Sequence, residues 1–131
     1  MEFIEKPAAA SALDIERLGL HYQVDLPREF IDWWMSSNGP VVFFGYKELQ
    51  FFSVDEIVAD DYKVRTYMPL GMPLCMDGSA NMCVARIQAG RLAGIYVVSC
   101  GDLEWPEAKL ISETFTSFIN DDMSPEERLN A

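Results

Sequence analysis

Between Leu70 and Ser99 the chain offers three apolar segments of strand length, Leu70 to Met76, Asn81 to Gln88 and Leu92 to Ser99, broken by Asp77-Gly78-Ser79 and Ala89-Gly90-Arg91. Turns this short return the chain alongside itself, so the three segments are predicted to pair antiparallel as a meander. Helical patterns precede and follow it. Helices, then strands, then a helix is an α+β order, and no repeat or linker divides it, so residues 1–131 read as a single domain.

The helical signals lie where side chains meet unpaired backbone groups. Ser11 followed by Asp14 resembles a capping box with a shortened acid, and Leu13, Ile15 and Leu18 give that helix an apolar side before Gly19. His21 to Asp25 reads as a connector. Pro27 opens a second helix on which Leu26, Phe30, Ile31, Trp33 and Trp34 cover a broad arc. Asn38-Gly39 closes it, with Gly39 left-handed and Pro40 forbidding continuation. Val41 to Gly45 and Glu48 to Phe52 read as short strands, and Ser53-Val54-Asp55-Glu56 is a capping box that starts a helix toward Ala59. Beyond the meander, Trp105-Pro106 marks a loop. Thr114 or Ser112 caps a closing helix carrying Phe115, Phe118 and Ile119, and Ser124-Pro125-Glu126-Glu127 starts a last short one.

Charge narrows the range of partners. Ten Lys and Arg stand against 21 Asp and Glu, a net charge of −11, and no stretch clusters basic residues. A phosphate backbone is repelled by such a surface, so nucleic-acid recognition is not expected and a basic protein partner is. Three cysteines without CxxC spacing suit a reducing compartment. The N-terminus lacks a basic n-region, Ala8 to Ala12 is too short for a signal segment, and Val41 to Phe44 and Ile95 to Val98 are far shorter than a membrane span. A cytoplasmic protein without membrane attachment is the expectation.

Candidate chemistry is sparse. His21 is the one histidine, and neither GxSxG nor SxxK occurs to make it a general base for a nucleophile. Cys75, Cys83 and Cys100 lack the close pairs of a zinc loop. In a hairpin centred on Ser79, Cys75 and Cys83 fall opposite each other on one side, as small core residues or at most an occasional redox pair. Asp60-Asp61 and Asp121-Asp122 are adjacent acids, which point apart instead of converging on a metal. Gly94-Ile95-Tyr96 is half of a nuclease signature without its second half, and no glycine pattern cradles phosphate. No catalytic, metal-binding or cofactor-binding residue is therefore predicted, and an enzyme is not expected. Phe30 and Trp34 sit at the centre of the helical arc with Trp33 at its margin, which assigns Trp33-Trp34 to the core. Trp105 lies in the acidic connector Gly101 to Glu107 and is the better aromatic contact. With Asp60, Asp61, Asp102, Glu104 and Glu107 it forms the candidate partner-binding face.

Several short motifs then resemble one family. Leu18-Gly19, Leu26-Pro27-Arg28-Glu29-Phe30, Trp33-Trp34 and Asn38-Gly39 are similar to the helical signature of the SUKH superfamily, which includes yeast cell-wall-synthesis regulators and many bacterial immunity proteins. Met68-Pro69-Leu70-Gly71 resembles that family's "PIG" segment, Asp77-Gly78 with Asn81 its turn, Gly94 to Val98 the following strand, and Ser112 to Ile119 its closing helix. Pro40 stands where members often carry a second glycine, and Cys75 to Ala80 where they carry a Gly-rich acidic turn. The resemblance implies N-terminal helices and a C-terminal helix packed on a mainly antiparallel sheet. It also implies a domain that acts by binding protein: a bacterial immunity protein that occludes a toxin, often a nuclease, or alternatively an intracellular regulatory or scaffold module.

Overall fold

The meander forms and extends well beyond the three apolar segments. The structure, a computed structural model, describes residues 2–43 and 48–120. Its strands are β1 (Glu2–Glu5), β2 (Val41–Phe43), β3 (Glu48–Phe51), β4 (Gly71–Asp77), β5 (Asn81–Gln88), β6 (Arg91–Ser99) and β7 (Lys109–Ser112). They make one sheet in chain order, each antiparallel to the next. The helices are α1 (Ala12–Tyr22), α2 (Arg28–Ser36), α3 (Val54–Ala59), α4 (Val64–Tyr67) and α5 (Phe115–Asn120), so the α+β expectation holds. Phe44, Gly45, Asp121, Asp122 and the proposed helix start at Ser124 lie outside the described residues.

Alternation along the strands sorts side chains onto two faces. Cys83, Ala85, Ile95, Val97 and Ile111 face the main core, where they meet Ile15, Leu18 and Tyr22 of α1, Phe30 and Trp34 of α2, Val54 and Ile57 of α3, and Phe115 and Phe118 of α5. Met82, Val84 and Val98 face the other way, into a smaller core closed by Val64 and Met68. Cys75 and Cys83 are register partners, both buried in the main core, as the hairpin centred on Ser79 requires. Phe30 and Trp34 are fully buried and stack with centroids 4.1 Å apart, while the Trp34 indole N–H donates to the Phe52 carbonyl at 2.9 Å.

Local readings of the first two helices need correction. The Ser11–Asp14 capping box is present, but α1 runs through Gly19 and ends at Tyr22, with Gln23 left-handed beyond it. One glycine costs a helix about 1 kcal/mol relative to alanine. Burying Tyr22, whose hydroxyl donates to the Ile57 carbonyl at 2.8 Å, outweighs that. His21 therefore lies exposed in the last helical turn, outside any connector, and Leu13 is 76% exposed instead of lining the buried side. Pro27 is the N-cap of α2, one position earlier than expected.

Gly39 does have a positive φ, +89°, yet α2 already ends at Ser36. Its glycine requirement comes from close approach, since a Cβ there would lie 2.8 Å from the Ser53 nitrogen and 3.0 Å from the Phe51 carbonyl oxygen. Asn38 completes the junction by accepting the Val54 N–H at 2.9 Å. The Asn-Gly pair thus fastens the exit of α2 to the start of α3.

β1, β7 and α4 were not expected. β1 is exposed throughout and pairs with one neighbour, so it has no buried alternation for a sequence pattern to reveal.

Candidate protein-binding face

The smaller core joins α4 to the loop that carries Trp105. Asp60 is left-handed at φ +49° and ends α3 by donating its N–H to the Glu56 carbonyl. Its carboxylate then starts α4: one oxygen accepts the Val64 N–H and the other the Arg65 N–H, each at 2.9 Å. Asp60 is therefore committed to capping a helix, a use that favours Asp at helix starts. Asp61 is exposed beside it. With Glu56, Tyr62, Phe52 and Pro73 it lines a cleft of about 40 Å³, space for about one water.

Trp105 stands at the other end of α4. It opens a short 3₁₀ turn, Trp105–Glu107, and its indole N–H donates to the Pro69 carbonyl at 2.8 Å. Tyr96 meets the ring edge-on at 5.2 Å between centroids, and the Arg86 guanidinium lies over it at 4.9 Å. The expectation of a free aromatic anchor is thus modified. Trp105 is half-buried against the smaller core and its polar atom is satisfied internally. Asp102, Glu104 and Glu107 remain exposed around it. Of the six candidates, Asp60 and Asp61 lie at the start of α4, and Asp102, Glu104, Trp105 and Glu107 lie at its exit.

Sequence reasoning missed the apolar positions of this face. Tyr67 is 60% exposed, Leu70 58% and Leu110 47%. Leu110 is the register partner of Tyr96, and both side chains crowd Gly94, where a Cβ would lie 3.0 Å from Leu110 Cδ1 and 3.3 Å from Tyr96 Cε1. Leu70, expected to start a strand, precedes β4. It has φ +67°, and its carbonyl accepts the Ile87 N–H at 2.7 Å.

Around Trp105 three exposed carboxylates stand beside the Arg86 guanidinium. Among the described residues, ion pairs join Arg17 to Asp14 and Asp55, and Arg28 to Asp32; Asp61, Asp102, Glu104 and Glu107 take no part in them. Arg65 is drawn toward α1, where it lies over the Tyr22 ring at 5.0 Å and donates to the His21 carbonyl at 3.2 Å. Burial, reinforced by the negative charge of Asp60, pushes the Tyr22 phenol above its ordinary range. No group of three or more His, Cys, Asp or Glu among the described residues is placed to hold a metal ion. No described helix is long and apolar enough to cross a membrane. The arrangement offers charge and apolar contact area, the components of a binding surface.

The model of the SMI1 / KNR4 family (SUKH-1) matches residues 9–121. The chain belongs to this family. No curated protein matches it. Among the described residues, the SUKH-1 span takes in α1 to α5 and β2 to β7, and leaves β1 outside. The motifs that carried the resemblance mostly serve the scaffold: Leu26 and Phe30 in the main core, Asn38-Gly39 at the α2–α3 junction, Phe115 and Phe118 beneath α5. Trp105 touches two of those motifs, through the Pro69 carbonyl and the Tyr96 ring.

Proposed function

We propose that this SUKH-1 domain is a bacterial immunity-type protein that binds a basic toxin domain, a nuclease above all, in the cytoplasm and neutralises it by stoichiometric occlusion. The observation that carries the reading is the set of exposed carboxylates, Asp102, Glu104 and Glu107 around Trp105 and Asp61 at the start of α4, with Tyr67 and Leu70 exposed at and beyond the end of that helix. A nuclease must present positive charge to hold its substrate, so the surplus of 11 negative charges steers encounter with it. Trp105, Tyr67 and Leu70 then supply apolar contact, which governs how long the complex lasts. Family membership supports an immunity or regulator type of domain, and the charge favours the first.

The test starts from the adjacent reading frames. A toxin-like neighbour, purified as an inactive variant, should form a one-to-one complex whose affinity falls with added salt. Asp102→Asn, Glu104→Gln and Glu107→Gln together should slow association while leaving dissociation nearly unchanged. A neighbour toxin that forms no complex, or one bound equally well by the triple variant at low salt, would count against the reading. Recovery of an endogenous signalling protein in its place would favour a regulatory module.

A further inference from the structure

A second surface lies on the opposite side of the sheet, over the main core. Between α2 and α5 a cavity of about 290 Å³ is walled by Trp33, Phe115 and Ile119, with Glu29 and Asp32 among its lining residues. A neighbouring cavity of about 330 Å³ shares Glu29 and Phe115 with it and adds Glu113, so the two form one groove. Three acids and no Lys, Arg or His line this groove among the described residues. Arg28 pairs with Asp32 at 3.2 Å, but both side chains are largely exposed and water weakens the pair.

A second observation falls on the same wall. The Nε1 of Trp33 is buried and is the one buried side-chain nitrogen or oxygen without a hydrogen-bond partner among the described residues. A buried donor left unpaired costs free energy, so ring packing and not a hydrogen bond holds Trp33 in place. The Trp33 ring is held by Phe51 at 5.1 Å and Phe3 at 5.9 Å between centroids, so it is a placed wall and not a loose side chain.

We propose that the α2–α5 groove binds an extended segment of a protein partner in which Lys or Arg alternates with apolar residues. The apolar side chains lie against Trp33, Phe115 and Ile119, and the cations meet Glu29, Asp32 and Glu113. Charge selects this occupant over the chain's own C-terminal sequence, since residues 121–131 carry Asp121, Asp122, Glu126 and Glu127 against Arg128 alone. The same acidity disfavours a second copy of the chain, which presents its own surplus of carboxylates. The inference does not depend on the partner being a toxin.

The test uses the full ¹⁵N-labelled chain, whose three tryptophans give separate indole N–H resonances assignable with Trp33→Phe. Acetyl-Leu-Lys-Leu-Lys-Leu-amide is titrated against the same peptide with Glu for Lys. The Trp33 indole should shift saturably with the lysine peptide while Trp34 and Trp105 stay in place, and the glutamate peptide should produce no shift. Glu29→Gln, Asp32→Asn and Glu113→Gln together should weaken binding about tenfold or more, whereas Asp102→Asn, Glu104→Gln and Glu107→Gln should leave it unchanged. A motionless Trp33 resonance, a shift at Trp105 instead, or equal binding of the glutamate peptide would overturn the proposal. So would dependence of the Trp33 shift on protein concentration without peptide, the mark of a second copy. Nuclear Overhauser contacts from the Trp33 indole to Met123 or Leu129 in the free chain would do the same.

Discussion

The Trp105 indole N–H donates to the Pro69 carbonyl across 36 positions of sequence, and this bond ties the loop after β6 to the exit of α4. Trp105 packs against the smaller core and Met68, the neighbour of Pro69, lies within it, so the bond and the ring seat the same corner of the molecule. Trp105→Phe keeps most of the ring and loses the donor, and should cost about 1 kcal/mol. Trp105→Ala also removes contact with Tyr96 and the smaller core, and should cost about 2 kcal/mol for a half-buried indole. Urea denaturation at unchanged m-value measures both, and a Phe variant as stable as the parent would show the bond to be dispensable.

Asp60 does two things at once, closing α3 with a left-handed backbone and capping α4 with both carboxylate oxygens. Asp60→Ala should destabilise by about 2 kcal/mol, combining the lost cap with the cost of a left-handed alanine. Asp60→Asn tolerates the conformation and retains one acceptor, so it should cost less than about 1 kcal/mol. Thermal unfolding of the pair separates the two contributions.

Gly39 cannot accept a side chain without moving backbone. Its φ of +89° is strained for alanine, and the new Cβ would meet the Ser53 nitrogen at 2.8 Å. Gly39→Ala should therefore cost about 2 kcal/mol or more, with the largest loss of amide-exchange protection at the α2–α3 junction. A variant that unfolds at the parental urea midpoint would refute the close-approach argument.

Burial, and then hydrogen bonding to Cys83, push the Cys75 thiol well above the usual thiol range. Its thiolate is thus scarce at neutral pH, and alkylation of Cys75 should follow unfolding while the half-buried Cys100 reacts first. Because the folded value lies above the unfolded one, the folded state holds its proton longer. The associated stability is intact below pH of about 8.5 and is lost progressively as pH rises past it toward the folded value. Cys75→Ser should change this alkaline slope in urea titrations, and rapid native-state labelling of Cys75 would contradict the burial argument.

Elements whose signal is local were legible in the sequence. The capping boxes at Ser11 and Ser53 need only a hydroxyl and an acid three residues apart, and both form. The Cys75–Cys83 pairing follows from a turn length and a period of two. Of the candidate face, the acids and Trp105 could be named because charge and aromatic size are visible in one dimension. Their roles could not. Nothing local distinguishes Asp60, which caps a helix, from Asp61, which faces solvent, since the difference lies in where Val64 and Arg65 return.

By itself the sequence determined the antiparallel meander, the capped helix starts, the acidic surplus and the likeness to SUKH proteins, because each depends on neighbours within a few residues or on composition alone. Tertiary structure decided how far α1 runs past Gly19, that edge strands β1 and β7 exist, that α4 and Trp105 cover the second face of the sheet, and that Trp33 walls a groove with its N–H unpaired. These depend on partners tens of residues away, such as Ile57 for Tyr22 and Pro69 for Trp105, and contact at that separation is settled only when the whole chain packs.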